Sequence, residues 1–218
     1  MLKNLPIFIL SIIFVLPVRA EMIGEIILGN VNTSDASVSA SYTCFFCATE
    51  SATRNISFEQ SGYAGARYIY WSERQPWIGG GFEIGTFSAD EGSTIDINVI
   101  SLSVQGFMRK SLFISDAYPY GRLQPYMGLG VFMFSGSANV DFTPDISTQL
   151  DVDGHGTGAG IMAGMRWLFT ERTALLLEAR SSKVSMNFDN EDFWSFNNES
   201  VNAKLSSVYY LLGLSVKF

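Results

Sequence analysis

The segment Val208-Tyr209-Tyr210-Leu211-Leu212-Gly213-Leu214-Ser215-Val216-Lys217-Phe218 alternates along its whole length. One face carries Val208, Tyr210, Leu212, Leu214, Val216 and Phe218. The other carries Tyr209, Leu211, Gly213, Ser215 and Lys217. A two-residue period is the signature of a strand, and the 11 residues from Val208 to Phe218 match the length that a tilted strand needs to cross a bilayer.

Working upstream, Thr173 to Ser182 sets Leu175, Leu177 and Ala179 against Leu176, Glu178 and Arg180. The apolar parity then shifts at Val184, Met186 and Phe188, which reads as a bulge near Ser181 to Lys183 or as the strand leaving the bilayer. Gly156 to Phe169 is the preceding strand, joined through the short turn Thr170-Glu171-Arg172, so the pair is an antiparallel hairpin. Arg122 to Phe134 places Met127, Leu129, Val131 and Met133 opposite Tyr126, Gly128, Gly130 and Phe132. Ile97 to Lys110, Trp77 to Ser88, Tyr63 to Trp71 and, with a poorer pattern, Met22 to Val31 complete a set of eight. The intervening segments alternate in length. Residues 32–61, 89–95, 136–154 and 189–199 are long, and the connections between them are mostly short, as in barrels that span outer membranes. Ser111 to Gly121 is longer than that pattern predicts. The expected architecture is all-β: a single closed antiparallel eight-stranded up-and-down barrel.

The first twenty residues read as a signal peptide. Lys3 is the basic start, Leu5 to Val18 the apolar run, and Val18-Arg19-Ala20 the cleavage site. Residues 21–218 are then the barrel, with 32–61 as a long first extracellular loop. Without Lys3 and Arg19 the remaining 198 residues hold 12 Lys+Arg against 21 Asp+Glu, a net charge of −9. An acidic chain repels phosphate backbones, so nucleic-acid binding is excluded. No later apolar run is long enough for a helical span, whereas alternating strands leave only a weak hydropathy signal.

Alternation alone does not say which face is inside. In the expected register Arg67, Glu83, Arg109, Glu178 and Arg180 fall opposite the apolar stripe, where they would form a salt-bridged lumen. In a secreted soluble barrel the same charges would face water. Against the soluble alternative stand the large apolar residues of the other face, including Tyr68, Phe82, Ile84 and Leu102. Trp167, Phe169, Tyr70 and Tyr210 near the expected strand ends fit interfacial aromatic girdles.

The stretches Gly62-Tyr63-Ala64-Gly65-Ala66-Arg67-Tyr68-Ile69-Tyr70-Trp71, Gln75-Pro76-Trp77-Ile78-Gly79 and Gly121-Arg122-Leu123-Gln124-Pro125-Tyr126-Met127-Gly128-Leu129-Gly130 resemble the outer-membrane β-barrel domain family of small OmpA-, OmpX- and opacity-like barrels. Leu177-Glu178-Ala179-Arg180 and the ending Gly213 to Phe218 resemble that family's last two strands. The resemblance implies residence in the cell outer membrane among lipid and lipopolysaccharide. It also implies that Phe218 is read by the barrel-assembly machinery. It covers residues 60–218 and says little about activity, since the fold hosts adhesins, pores and lipid-modifying enzymes.

Three further motifs bear on chemistry. Cys44-Phe45-Phe46-Cys47 reads as a local disulfide in an oxidising compartment, with free thiols or a metal site as the alternatives. His155, the one histidine, reads as a loop residue; as the base of a lipid-A-modifying enzyme it would need a serine and an acid beside it. Asp151-Val152-Asp153-Gly154 begins like a calcium loop, but Met162 stands where the bidentate ligand belongs. Asp189, Glu191, Asp192 and Glu199 make the last loop acidic, which reads as solvated or as a cation bridge to lipopolysaccharide phosphates. The expected protein is a non-enzymatic monomer without cofactor or metal, serving envelope integrity or surface recognition. The alternatives are a small pore or hydrophobic-compound channel and a lipid-A enzyme.

Overall fold

Strands rich in β-branched and aromatic residues pair into one sheet in the computed structural model, which describes residues 21–43, 50–56, 61–91, 95–141, 149–189 and 198–218. They are β1 (Glu21–Thr43), β2 (Glu50–Ile56), β3 (Ser61–Trp71), β4 (Ile78–Glu91), β5 (Ile95–Arg109), β6 (Leu123–Asp141), β7 (Gln149–Leu168), β8 (Thr173–Asp189) and β9 (Asn198–Lys217). All neighbours are antiparallel, and β1 closes the wall by pairing with β9. β3 pairs with β1 from Glu21 to Val31 and β2 pairs with the same edge from Ala36 to Tyr42, so the two share one place around the wall. The result is an eight-stranded closed barrel.

Following cross-strand partners once around, from Ile27 through Gly65, Gly85, Ser101, Phe134, Gly156, Met186 and Ala203, returns to β1 at Val38. That is eleven positions further along β1, one of them taken up by the bulge between Thr33 and Asp35. A stagger of about ten for eight strands corresponds to a strand tilt of roughly 40° and a bore that side chains can fill.

The bulge expected near Ser181 to Lys183 is absent. β8 keeps an unbroken register with β7 and β9, and Ser182, Val184 and Met186 all point inward. Parity never shifts there; the apolar side chains change walls, from the outside to the lumen, as the strand leaves the apolar band. The strands also run well past their expected ends into segments read as loops, residues 32–61 and 136–154 above all. Beyond Met133 or Val208 the outward residues become Ser, Asn, Thr and Lys, so the hydrophobic period fades while backbone pairing continues. Tyr210, expected near a strand end, is therefore well inside β9. Residues 1–20, the expected signal peptide, lie outside the described residues.

The outer wall carries an apolar band. Its exposed members include Ile100, Leu102, Val104 and Met108 on β5, Met127, Leu129, Val131 and Met133 on β6, and Leu212, Leu214 and Val216 on β9. Among the described residues no charged side chain points outward within it. Trp77, Trp167, Phe169 and Phe218 ring the end where the short turns lie, as interfacial aromatics do. A soluble protein rarely exposes so large an apolar surface. With charge inside and hydrocarbon outside, the barrel is built for lipid.

Inward glycines make room for the large rings of the lumen. A Cβ on Gly164 would lie 2.5 Å from the Tyr126 ring and 2.6 Å from the Leu177 carbonyl oxygen. Gly164→Ala should therefore lower stability by about 1–3 kcal/mol through overpacking. Urea titration of the variant refolded into detergent micelles checks this, and an unchanged midpoint would show that Tyr126 is not held against β7.

Candidate functional site

Alternate residues of every wall strand meet in the lumen, and its middle third is ionic. Arg67 from β3 donates through Nε to Glu25 of β1 at 2.6 Å and through Nη1 to Glu178 of β8 at 2.7 Å, and it lies 3.6 Å from Glu83 of β4. Arg180 from β8 holds both oxygens of Glu83, at 2.7 and 2.8 Å, and reaches Glu178 at 2.8 Å. Arg166 from β7 donates to Glu25 at 2.5 Å. Three carboxylates thus face three guanidiniums, all buried.

Neutral groups take the remaining carboxylate lone pairs. Tyr126 donates to Glu178 at 2.6 Å, Ser215 to Glu25 at 2.7 Å and Gln105 to Glu83 at 3.1 Å, and the Tyr63 hydroxyl also bonds Glu83. This satisfaction is what makes buried charge tolerable, since desolvating each ion costs several kcal/mol unless partners replace its water. The exception is Arg166. Its face lies 4.5 Å from the Tyr126 ring centroid, yet Nη1 and Nη2 have no hydrogen-bond partner among the described residues.

Above this layer, toward the long-loop end, the lumen turns aromatic. Tyr63 meets Tyr209 edge-on at 5.6 Å, Phe87 meets Phe134 at 6.4 Å, and Phe132 stacks on Phe134 at 6.0 Å. Val99, Val184, Met186 and Leu205 fill the gaps. Below it, Arg109 pairs with Glu21, donates to the Pro76 carbonyl at 2.7 Å and lies 4.2 Å from the Trp71 ring centroid. The long turn 110–122 folds across this mouth. Gln124 donates to the carbonyls of Tyr120 and Gly121, and Lys217 lies 4.9 Å from the Tyr120 ring centroid. Gly121 adopts φ 86°, where a Cβ would strike the Leu112 backbone at 2.6 Å, so the fold-back depends on glycine.

Of the residues singled out from sequence, Arg67, Glu83, Glu178 and Arg180 sit in one network, whereas Arg109 belongs to a separate cluster nearer the turns. Glu21, Glu25 and Arg166 escaped sequence reading. Arg166 carried a usable signal, because it alternates with the outward Met165 and Trp167. Glu25 lay in the strand with the weakest pattern. Phe218 is exposed, and its backbone N–H donates to the Met22 carbonyl at 3.0 Å, tying the last residue to β1. Cys44 and Cys47 lie outside the described residues, as do Glu191 and Asp192. His155 faces outward on β7 between Ser135 and Asn187, with no hydrogen bond to Ser135.

Eight antiparallel strands around a charged, filled bore and beneath an apolar coat define a transmembrane β-barrel. Solved structures share it: OprG from Pseudomonas aeruginosa, an outer membrane protein, superposes with a TM-score of 0.58 at 14% identity, over 91% of this chain and 96% of that one. Neisserial surface protein A superposes with a TM-score of 0.51 at 11% identity, over 91% and 97%. At such identities the likeness is one of fold. No family model matches the sequence, and no curated protein matches it.

Proposed function

We propose that this chain is a monomeric, non-enzymatic and non-conducting barrel of the outer membrane, delivered by the barrel-assembly machinery, that holds its outward strands and loops above the cell surface. The observation that carries this reading is the filled lumen: an ionic layer, an aromatic layer above it and a folded turn below it lie in series along one narrow bore. Conduction needs a continuous water path, and each of the three layers interrupts one. The strand lengths support a display role. β1, β6, β7 and β9 have 23, 19, 20 and 20 residues, about twice what a tilted strand needs to cross a bilayer, so a β-structured rim stands clear of the membrane. Recognition by loops on a rigid scaffold is the common use of such a rim.

Single-channel recording in a planar bilayer tests the reading. Purified protein whose gel mobility shifts on heating should insert without discrete conductance steps. Steady ion-selective steps from the same preparation would replace the display role with that of a small pore.

A further inference from the structure

The first charges met on the outer wall above the apolar band, on β8 and β9, are Lys183 and Lys204. Both are exposed, and neither forms an ion pair among the described residues. Lys183 lies opposite Ser206 and Lys204 opposite Ser185, so the two lysines are diagonal neighbours on one face of the sheet. Diagonal neighbours stand about 7–8 Å apart, near enough for two like charges to repel. Asp35 of β1, opposite Ser206, is the acidic residue in register with them. The row above is polar: His155, Asn187 and Asn202, with Asn202 donating to Asn187 at 2.5 Å. Directly beneath, Ala163, Ala179 and Ser181 are small where β6 carries Met127 and Leu129 and β9 carries Tyr210, and with Ile161 and Val208 they line part of an open apolar depression in the wall.

We propose that Lys183 and Lys204 bind the phosphate of a phosphorylated, acylated glycolipid of the outer leaflet, with an acyl chain lying in the depression over Ala163 and Ala179. This rests on the outer-membrane reading above. The order of chemistry up the wall, from apolar groove to paired ammonium groups with amides beside them, matches acyl chains lying below a phosphorylated sugar headgroup in such a lipid. A bridging phosphate also removes the repulsion between the two lysines, whose exposed heads form no ion pair among the described residues. The long-loop end of the wall is opposite the end bearing the short turns, which assigns the site to the outer leaflet.

Native mass spectrometry of the detergent-purified chain with bisphosphorylated hexa-acyl lipid A tests the assignment. Wild type should retain the lipid, and Lys183→Gln/Lys204→Gln should lower the affinity about 30-fold, the product of two surface charges acting on an anionic headgroup. Ala179→Leu, which fills the depression with apolar atoms, should weaken lipid A without altering the lysines. Equal retention by wild type and the double variant overturns the proposal, and so does equal retention of phosphatidylglycerol by wild type. Heat-shifted gel mobility of every variant shows that the barrel is intact; if wild type itself lacks the shift, the membrane reading and this site fall together.

Discussion

Replacing Arg67 with methionine should cost about 3–5 kcal/mol of stability, the usual penalty for breaking a buried ion pair from one side. Arg67 is 3% exposed and faces Glu25, Glu83 and Glu178 together. Its loss leaves three carboxylates to share Arg166 and Arg180 inside a wall they cannot leave. The measurement is the urea midpoint of reversible unfolding in micelles or bilayers. The partner experiment is Arg67→Met with Glu178→Gln. Removing one charge of each sign restores neutrality, so the double variant should be more stable than the sum of the single losses predicts, by about 1–3 kcal/mol. Additive losses would mean that the network is held together by packing and that its charges act independently.

An arginine placed on the outside should be costly for the opposite reason. Leu129 on β6 is 67% exposed near the middle of the apolar band, between Met127 and Val131. In a soluble barrel Leu129→Arg would be neutral or mildly stabilising. In hydrocarbon it should cost about 2–4 kcal/mol, and the same change at Ser135, at the edge of the band, about 0–1 kcal/mol. Folding titrations into lipid vesicles read both. A flat dependence on depth would contradict the placement of β6 in the bilayer.

The wall was more legible in the sequence than its contents. Period-two patterning placed β6, β9 and the Thr173 to Ser182 part of β8 and assigned both faces, because there hydrocarbon outside and charge or glycine inside reinforce one another. The same signal failed once the strands left the band. Outward Ser, Asn and Lys beyond Met133 and Ala179 look like loop, although hydrogen bonding to the neighbouring strand continues. The lumen network was half visible. Parity exposed Arg67, Glu83, Glu178 and Arg180 as inward charges, yet pairing them requires the register across non-adjacent strands, as when β4 meets β8 through Glu83 and Arg180. Glu25 was hidden because both faces of β1 mix apolar and polar residues, Ile23, Ile27 and Val31 with Glu21 and Glu25 inward and Ile26 and Leu28 with Asn30 and Asn32 outward. The overlong connection Ser111 to Gly121 was visible as an anomaly of length, and its role in covering the lower mouth emerges only from Gln124, Tyr120 and Lys217 in space.

Alternate residues of each strand face lipid around a filled bore. Single cysteines introduced one at a time from Tyr126 to Phe134, in a background with Cys44 and Cys47 changed to serine, and labelled with a small polarity-sensitive fluorophore, test it in reconstituted vesicles containing brominated lipids. Strong quenching is expected at 127, 129, 131 and 133 and little at the even positions between them. Uniformly weak quenching, or a pattern without the two-residue period, would contradict it.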